Sequence, residues 1–391
     1  MTGRLPSSKR EGPVRYTDRE QGTGKVASRR RIPGLDVMRG FAILAVLFHN
    51  LSIAENDGSR FFRIWNLLPE SGWIGVQIFF VLSGYLITGI LVDDGGRPDV
   101  YRVFYVRRAL RIFPLYYVVL LISALLPVAG PFRSSPPWTG VFYLFFLQNW
   151  SGLFYGASSA FGHFWSLAVE EQFYLLWPLL ILKTSVRGNV IGCVVVMAAS
   201  LLARVGMQLA HYPSSWLYLS TPARAEALAI GALLAIIQRA PDGKRRLIVA
   251  LPWLTSGAAV ALLALVLHTH GLNRNNALVQ IYGYSLIAIL SGCLTVRVAM
   301  PETALRFGVP GRVLTFLGKY SYGIYVLHMP VKVALVSLLG ERLSKFGQPR
   351  PVLADVVFIV TASLIAVGAA LVSWRLIERP FLSLKDRLAA R

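Results

Sequence analysis

The sequence predicts an all-α integral membrane protein, a polytopic bundle of about ten transmembrane helices. Hydrophobic residues make up 55% of the 391-residue chain and charged residues only 15%, whereas an average soluble domain is about 25% charged. The mean hydropathy is +0.55. The apolar residues also fall into separate blocks of roughly 15 to 25, the length that a helix needs to cross a hydrocarbon core of about 30 Å.

Ten of these blocks are candidate spans, and one further block is too short to cross. The spans cover 34–54, 72–92, 112–130, 164–183, 190–210, 222–238, 247–268, 278–298, 313–339 and 352–377. The short block, 141–150, predicts a re-entrant or interfacial helix. No internal repeat is evident along the chain, so an inverted-repeat transporter gains no support.

The basic residues predict the orientation of the spans. The net charge of +21 is compatible with nucleic-acid binding, but in a membrane protein the position of the charges comes first. With ten spans and both termini inside, 27 of the 40 Lys and Arg residues lie in inner tails, loops and span ends, and 7 lie outside. Counting 141–150 as a span would place the basic loop 239–246 outside. The distribution therefore favours ten spans in the cytoplasmic membrane, two cytoplasmic termini and no nucleic-acid partner.

The domain organisation predicted from composition is one transmembrane domain with two tails. Residues 1–31 contain nine Lys and Arg residues and almost no large apolar residue, which predicts a disordered basic cytoplasmic tail. Residues 32–380 form the transmembrane domain, and 381–391 are a short cytoplasmic tail. The two cysteines, Cys193 and Cys293, lie in apolar blocks and indicate neither a disulfide framework nor a metal site.

Two histidines within the predicted spans are functional candidates, because imidazole changes its protonation near neutral pH. His49 follows Arg39 by ten residues in the first span, about 15 Å along a helix, which predicts a position near mid-membrane. In the ninth span Tyr325 and His328 share a helix face, so His328 competes with His49 for a catalytic or orienting role. The alternative for both is a hydrogen bond between helices. His163 is expected in a loop.

Arginines at two span entrances are the next candidates. Arg108 and Arg111 are three residues apart and share one face of a helix that enters the membrane. Guanidinium groups bind phosphate through paired hydrogen bonds, so this pair predicts phosphate binding; anchoring by the positive-inside rule is the alternative. Arg224 and Glu226 are two residues apart and do not face each other, so each is expected to pair elsewhere in the bundle.

The stretch HFWSLAVEEQFYLLWPLLIL, residues 163–182, places two acids in an apolar helix. Ser166, Glu170 and Tyr174 follow i, i+4, i+8 and form one polar stripe, while Glu171 points about 100° away. A serine N-cap with acids in the first turn is the alternative explanation. Carboxylates are costly in hydrocarbon, so the stripe predicts that Glu170 faces a reaction chamber.

Seven segments of the chain, in their order and spacing, point to a known family. They are GLDVMRGFAILAVLFHN, FFVLSGYLITGIL, FYVRRALRIFPLYY, FWSLAVEEQFYLLWP, RAEALAIGALLA, YSYGIYVLHMP and IERPF. From about residue 33 to 380 the chain resembles the membrane acyltransferase-3 family of integral-membrane O-acyltransferases. The resemblance implies acyl-CoA as co-substrate, with acetyl the commonest group, and neither a permanently bound cofactor nor a metal. The implied acceptor is a hydroxyl of a carbohydrate, a lipid-linked sugar or a small secreted metabolite.

The resemblance also implies roles for individual residues. His49 matches the essential histidine of the first span and Arg39 its basic partner. The implied CoA-binding residues are Arg39, Arg108 and Arg111. The other implied catalytic residues are Ser166, Glu170, Glu171 and Tyr174. Arg224, Tyr325 and His328, singled out above from the residues themselves, are the candidates for substrate-binding or supporting roles.

The chain departs from the family pattern in one spacing. Nine residues separate Arg39 and His49, where the pattern has ten. Eleven helical steps return to within about 20° of the same face, whereas ten steps leave two residues about 80° apart. Either the helix is locally distorted or these two residues do not act from one face. The resemblance is to the standalone form without a fused SGNH-type domain, so a second acyl-transfer step would require another protein.

Two other classes of function stay open on sequence grounds. A transporter or flippase for a polar lipid or sugar also lines its path with intramembrane charges and aromatic residues. A non-enzymatic membrane sensor or scaffold is the third class. Only an acyltransferase is expected to consume acetyl-CoA, and a scaffold is expected to tolerate the combined loss of Arg108, Arg111 and Glu170.

Overall fold

The structure is a computed structural model that describes residues 32–53, 58–125, 137–155, 160–300, 308–347 and 350–388. Across these ranges the regular structure is helical, without β-strands. The α-helices, numbered α1 to α16 in chain order, are Pro33–Leu51, Arg60–Ser71, Ile74–Asp94, Val100–Leu125, Gly140–Leu144, Gln148–Tyr155, Trp165–Lys183, Val186–Leu209, Ser214–Leu219, Thr221–Arg239, Gly243–Thr269, Tyr284–Ala299, Gly308–Lys319, Ser321–Gly347, Pro351–Ser373 and Arg379–Leu388. The predicted tail 1–31 lies outside the described residues, and 381–388, expected as a tail, continue α16.

The all-α membrane fold predicted from the sequence is confirmed. In the described part of the chain, nine segments are long and apolar enough to cross a membrane. The remaining predicted span corresponds to α7, Trp165–Lys183, which has 19 residues. Its adjacent Glu170 and Glu171 lower its hydropathy relative to the other spans. The protein is therefore a multi-pass membrane protein.

The structure corrects the continuity of two predicted elements. The predicted span 313–339 is broken at Tyr320 into α13 and α14. The break follows Gly318, where a Cβ atom would lie 1.8 Å from the Asp36 carbonyl oxygen of α1. The short block 141–150 is split between α5 and α6, because Phe146 has a φ of 54° and the left-handed conformation interrupts a right-handed helix.

Close helix packing fixes the centre of the bundle. On α3, a Cβ atom at Gly84 would lie 1.9 Å from the Leu228 carbonyl oxygen of α10; on α10, one at Gly231 would lie 2.0 Å from the Val81 carbonyl oxygen. Reciprocal glycines let two membrane helices approach backbone to backbone. The approach holds Ser83, beside Gly84, in a fixed position.

Helix α1 occupies the middle of the bundle and connects its two ends. It packs against α2, α3 and α12 to α15, and its central residues Ala42, Ile43, Val46 and Leu47 are buried. Arg39 lies two turns after the start of this helix, and His49 lies in its last turn. One rigid element therefore holds the two residues ten residues, or about 15 Å, apart along the helix axis.

Candidate active site

A cavity of about 280 Å³ lies among α1, α3, α4, α7 and α14. Its wall combines polar and apolar groups. The apolar part includes Val76, Phe79 and Phe80 of α3. The polar lining residues are Arg39, Ser83, Arg108, Arg111, Ser166, Glu170, Tyr174, Ser321, Tyr322 and Tyr325. The structure thus brings together seven of the candidate residues named from the sequence.

Three arginines give the cavity a positive mouth. Arg39 donates to the Asp36 carboxylate over 3.1 Å, and the Arg108 guanidinium lies 5.6 Å from the centre of the Tyr174 ring. Within the described ranges, no carboxylate lies in ion-pair distance of Arg108 or Arg111. Their charge is therefore available to an anionic ligand.

The cavity is open at the arginine end and closed at the other. Arg111 is exposed and the Arg39 side chain is 23% exposed. Ser166 and Tyr325 are only 5% and 6% exposed. A ligand that enters past the arginines therefore ends against Ser166 and Tyr325, in a region shielded from solvent.

One wall of the cavity is the polar stripe of α7. The Tyr174 hydroxyl donates to Glu170 Oε2 over 3.0 Å and is also hydrogen-bonded to Ser83. Because the single Tyr174 proton goes to the carboxylate, Ser83 is the donor in the second bond. Glu171 does not line the cavity, and its Oε1 is buried without a hydrogen-bond partner among the described residues.

The closed end of the cavity is a chain of hydroxyl groups. The Tyr325 hydroxyl donates to the His163 carbonyl oxygen over 2.7 Å. The Ser166 hydroxyl lies 2.6 Å from the Tyr325 hydroxyl and must be the donor there, because Tyr325 has already used its only proton. His163, expected in a loop, is buried in the 3-10 turn Gly162–Phe164, since α7 packs its N-terminus inside the bundle.

His328 is fully buried behind this chain and both of its ring nitrogens are bonded. Its Nδ1 lies 2.6 Å from the Tyr325 carbonyl oxygen, and its Nε2 lies 3.0 Å from the Asn50 side-chain nitrogen. A carbonyl only accepts and an amide nitrogen only donates, so Nδ1 carries the proton and Nε2 accepts. The ring also packs 4.6 Å from the His163 ring. This neutral histidine ties α1 to α14.

His49 does not line the cavity, and it lies in the last turn of α1. Its Nδ1 is 2.6 Å from the Pro69 carbonyl oxygen, and its Nε2 is 3.3 Å from Arg274 Nη1. Arginine only donates, so Nδ1 carries the proton and Nε2 presents its lone pair. The unprotonated Nε2 is the form that a general base requires.

The unusual spacing in the first span has a structural explanation. Helix α1 is regular, so the ten steps from Arg39 to His49 turn the two residues to different faces. Asn50, the eleventh residue after Arg39, faces inward and contacts His328. His49 faces α2 and the loop that contains Arg274. Arg39 and His49 therefore do not act from one helix face.

A thin layer of backbone separates the closed end of the cavity from His49. Val76 lines the cavity. One turn earlier on the chain, a Cβ atom at Gly72 would lie 2.8 Å from His49 Cβ. One turn of helix is about 5.4 Å, so the two compartments are neighbours without being continuous.

The later candidate Arg224 lies beyond the cavity wall, among aromatic rings. It is 1% exposed, and its guanidinium lies 4.2 Å from the Tyr284 ring centre and 5.2 Å from that of Tyr218. Its three nitrogens have no hydrogen-bond partner within the part of the chain that the structure describes. Glu226 instead pairs with Arg204 over 2.5 Å. As expected from their spacing, Arg224 and Glu226 do not pair.

Sequence reasoning missed several residues of the site. Ser83 and Phe79 line the cavity but lie in a segment that carries no charge pattern. Asn50 could have been found, because it alone follows Arg39 by the eleven steps that preserve a helix face. Arg274 gave no such signal, because only the tertiary structure brings its loop to His49.

The fold and the cavity define a class: a polytopic helical membrane protein with an arginine-mouthed cavity beside a serine–glutamate–tyrosine wall. The sequence profile of the acyltransferase domain of the acyltransferase-3 family matches residues 32–376. The chain belongs to the acyltransferase-3 family, as the resemblance predicted.

Several curated bacterial proteins are similar to the chain. The putative peptidoglycan O-acetyltransferase YrhL of Bacillus subtilis is 30% identical over 91% of this chain and 56% of its own length. The peptidoglycan O-acetyltransferase OatA of Listeria monocytogenes is 29% identical over 78% of this chain and 50% of its own length. A putative O-acetyltransferase of Staphylococcus aureus is 26% identical over 93% and 59%, respectively. The chain thus spans little more than half the length of these relatives. No solved structure matches it.

Proposed function

We propose that the protein is an acyl-CoA-dependent O-acyltransferase of the cytoplasmic membrane, with acetyl as the transferred group and the arginine mouth facing the cytoplasm. The observation that carries the proposal is the single cavity that joins unpaired Arg108 and Arg111 to the buried hydroxyls of Ser166 and Tyr325. The ligand that suits this cavity has phosphates at one end and a carbonyl group at the other. The arginines at the open mouth match the phosphates, and the buried hydroxyl groups match the carbonyl group.

Acyl-CoA fits this arrangement as a substrate. Its phosphates bind Arg108 and Arg111 at the mouth, with Arg39 as a third cation held in place by Asp36. A cavity of about 280 Å³ accommodates the pantetheine arm and a short acyl group, while the nucleotide stays outside. The apolar side chains of α3 exclude water from the arm.

The reaction forms an ester and breaks a thioester. The acceptor hydroxyl attacks the thioester carbonyl carbon and its proton passes to His49 Nε2; the C–S bond then breaks, and the CoA thiolate takes up the proton that His49 releases, which restores the neutral base. As negative charge develops on the carbonyl oxygen, the Ser166 hydroxyl exchanges its bond to Tyr325 for a bond to that oxygen, while Tyr325 keeps its bond to the His163 carbonyl oxygen. Glu170 and Tyr174 orient the arm. Transfer requires the one-turn layer between the cavity and His49 to open.

The proposed acceptor is a hydroxyl of a cell-envelope carbohydrate reached from the outer side. Two relatives are named for peptidoglycan O-acetylation. His49 lies at the opposite end of α1 from the arginine mouth, so donor and acceptor approach from different sides. Deleting the gene and comparing glycans, lipids and secreted metabolites by mass spectrometry is expected to reveal the loss of one acetyl mass.

The direct test is consumption of radiolabelled acetyl-CoA by purified protein in vesicles that contain bacterial envelope lipids and glycans. The wild type is expected to release free CoA and to label a glycan or lipid. A variant in which Arg108 and Arg111 are both alanine is expected to lose both signals. Release of CoA by neither protein, together with saturable uptake of a labelled sugar or lipid by the wild type, would instead favour a transporter.

A further inference from the structure

The proposed base is not free in this structure, because an arginine occupies its lone pair. Arg274 Nη1 lies 3.3 Å from His49 Nε2. The opposite ring nitrogen, Nδ1, is already committed to the Pro69 carbonyl oxygen over 2.6 Å. Neither nitrogen of His49 is therefore available to a hydroxyl group or a water molecule.

Arg274 is placed there by a loop that is fixed from several sides. The Trp73 indole donates to the Leu272 carbonyl oxygen over 2.8 Å, and the Tyr284 hydroxyl donates to the Arg274 carbonyl oxygen over 3.3 Å. The guanidinium lies 4.8 Å from the centre of the Tyr218 ring. The contact with His49 thus belongs to a built arrangement.

Among the described residues, Arg274 has no carboxylate partner. No carboxylate of the described residues lies within ion-pair distance of it. Glu70 of α2 accepts instead from the Asn273 side chain over 2.5 Å. The Arg274 guanidinium therefore has no carboxylate partner among the described residues, and a ligand that offers it oxygen atoms can compete with His49 for its hydrogen bonds.

A guanidinium is a suitable cap for a base because it cannot take part in the chemistry. It has five N–H donors and no acceptor, and it stays protonated at any physiological pH. It therefore accepts no proton from a substrate, and while it occupies Nε2 the imidazole cannot activate an oxygen nucleophile.

We propose that Arg274 caps His49 until the acceptor arrives and so suppresses hydrolysis of the acyl donor. This rests on the proposed acyltransferase function. In hydrolysis, water attacks the thioester carbonyl carbon, its proton passes to His49 Nε2, the C–S bond breaks, and the products are a carboxylic acid and CoA. An acceptor displaces the cap in two ways at once. Its oxygen atoms accept hydrogen bonds from the Arg274 guanidinium, and its hydroxyl group donates to His49 Nε2 in place of Arg274. Arg274 is a positioning residue. Because the acceptor can displace it from His49 and water cannot, the exchange favours acyl transfer over hydrolysis.

The cap can be tested without any substrate by the reaction of His49 with diethyl pyrocarbonate, which modifies unprotonated imidazole nitrogens. Purified wild type is compared with Arg274→Met and Arg274→Gln, and the modification of each histidine is followed by peptide mass spectrometry. A hydrogen bond to a charged group is worth about 1.5–3 kcal/mol, so loss of the cap is expected to raise the His49 rate by about tenfold or more. His211, which is exposed, is the internal standard.

The matched control is Arg63→Met, which removes an exposed arginine of α2 on the same side of the bundle without touching His49. It is expected to leave the His49 rate unchanged. An unchanged His49 rate in both Arg274 variants, with an unchanged His211 rate, would overturn the cap. A rise in Arg63→Met equal to that in the Arg274 variants would also overturn it, because general loss of charge would then be the cause.

The consequence for the reaction is measured separately, as acetate released from acetyl-CoA without an acceptor. Arg274→Met is expected to hydrolyse acetyl-CoA about tenfold faster than wild type, and addition of His49→Ala is expected to abolish the increase. If Arg274→Met raised the rate of His49 modification without raising the rate of hydrolysis, the contact between Arg274 and His49 would be confirmed but its protective role would be overturned. Absence of CoA release by the wild type with any envelope extract would instead refute the proposed function, and the modification experiment would still report on the cap.

Discussion

The surroundings of Arg39 and of His49, both on α1, differ in how accessible they are to a ligand. Around Arg39 the bundle leaves an open cavity, in which Arg108 and Arg111 have no carboxylate partner among the described residues and hydroxyl groups lie at the buried end. Around His49 both ring nitrogens are bonded, one to the Pro69 carbonyl oxygen and the other to Arg274 of a neighbouring loop. Under the proposed function, the arginine end is preorganised to bind acyl-CoA, whereas the His49 end stays closed until the acceptor binds.

Under the proposed function, this difference suits an enzyme whose two substrates reach the site from opposite sides of the membrane. A preformed donor site costs little reorganisation when the ligand binds. A closed acceptor end keeps water from the thioester until a hydroxyl arrives. The layer at Gly72 to Val76, about one helical turn thick, is where the two ends must meet.

Among the tests of this difference between the two regions, substitution of His49 is expected to have the largest effect on the rate of acyl transfer. His49→Ala removes the proposed base and leaves the arginine cavity intact. Acyl transfer is expected to fall by about 10²-fold or more, while acetyl-CoA still binds with wild-type affinity. Transfer is measured with radiolabelled acetyl-CoA and binding by calorimetry. His211→Ala, at an exposed site, is the control, and near-normal transfer by His49→Ala would remove the proposed base from the mechanism.

The donor end is tested next, by Arg108→Ala and Arg111→Ala. Each removes charge-assisted hydrogen bonds worth about 1.5–3 kcal/mol, so the KM for acetyl-CoA is expected to rise by about 10- to 100-fold with a smaller change in kcat. Arg102→Ala, an exposed arginine on the same helix, is the matched control. An equal rise in all three variants would indicate anchoring by positive charge and not phosphate binding.

Substitution in the cavity wall is expected to have a smaller effect on kcat/KM, and the adjacent Glu171 provides the control. Glu170→Gln weakens the bond from Tyr174 and is expected to lower kcat/KM by about tenfold. Glu171→Gln changes a carboxylate that does not line the cavity and is expected to alter kcat/KM by less than about threefold. A silent Glu170→Gln with an inactive Glu171→Gln would contradict the assignment of the stripe.

Most of the fold was predictable from the sequence, because span length, composition and the positive-inside rule act locally along the chain. The break at Tyr320 was not, because it depends on Gly318 packing against the backbone of α1. The kinked block 141–150 likewise depends on the left-handed conformation of Phe146. Such contacts are tertiary and leave no periodic signal.

The site divides in the same way. Ser166, Glu170 and Tyr174 could be placed together from helical spacing alone, because they share one helix. The unpaired state of Arg108 and the contact of Arg274 with His49 could not, since both depend on which helices and loops become neighbours. The spacing of Arg39 and His49 left open whether the helix is distorted or the two residues face apart, and only the structure distinguishes these and identifies what each residue faces.

The smallest expected effect separates the two neighbouring residues at the end of α1. Asn50→Ala leaves the buried Nε2 of His328 without its donor, which is expected to cost about 1–3 kcal/mol of stability. The rate of acyl transfer is expected to change by less than about threefold, because His49 keeps its own contacts on the other face. Thermal unfolding in detergent and the transfer assay measure the two quantities on one sample. The opposite result, full stability with lost transfer, would move the chemistry from His49 to the inward face of α1, where Asn50 and His328 meet.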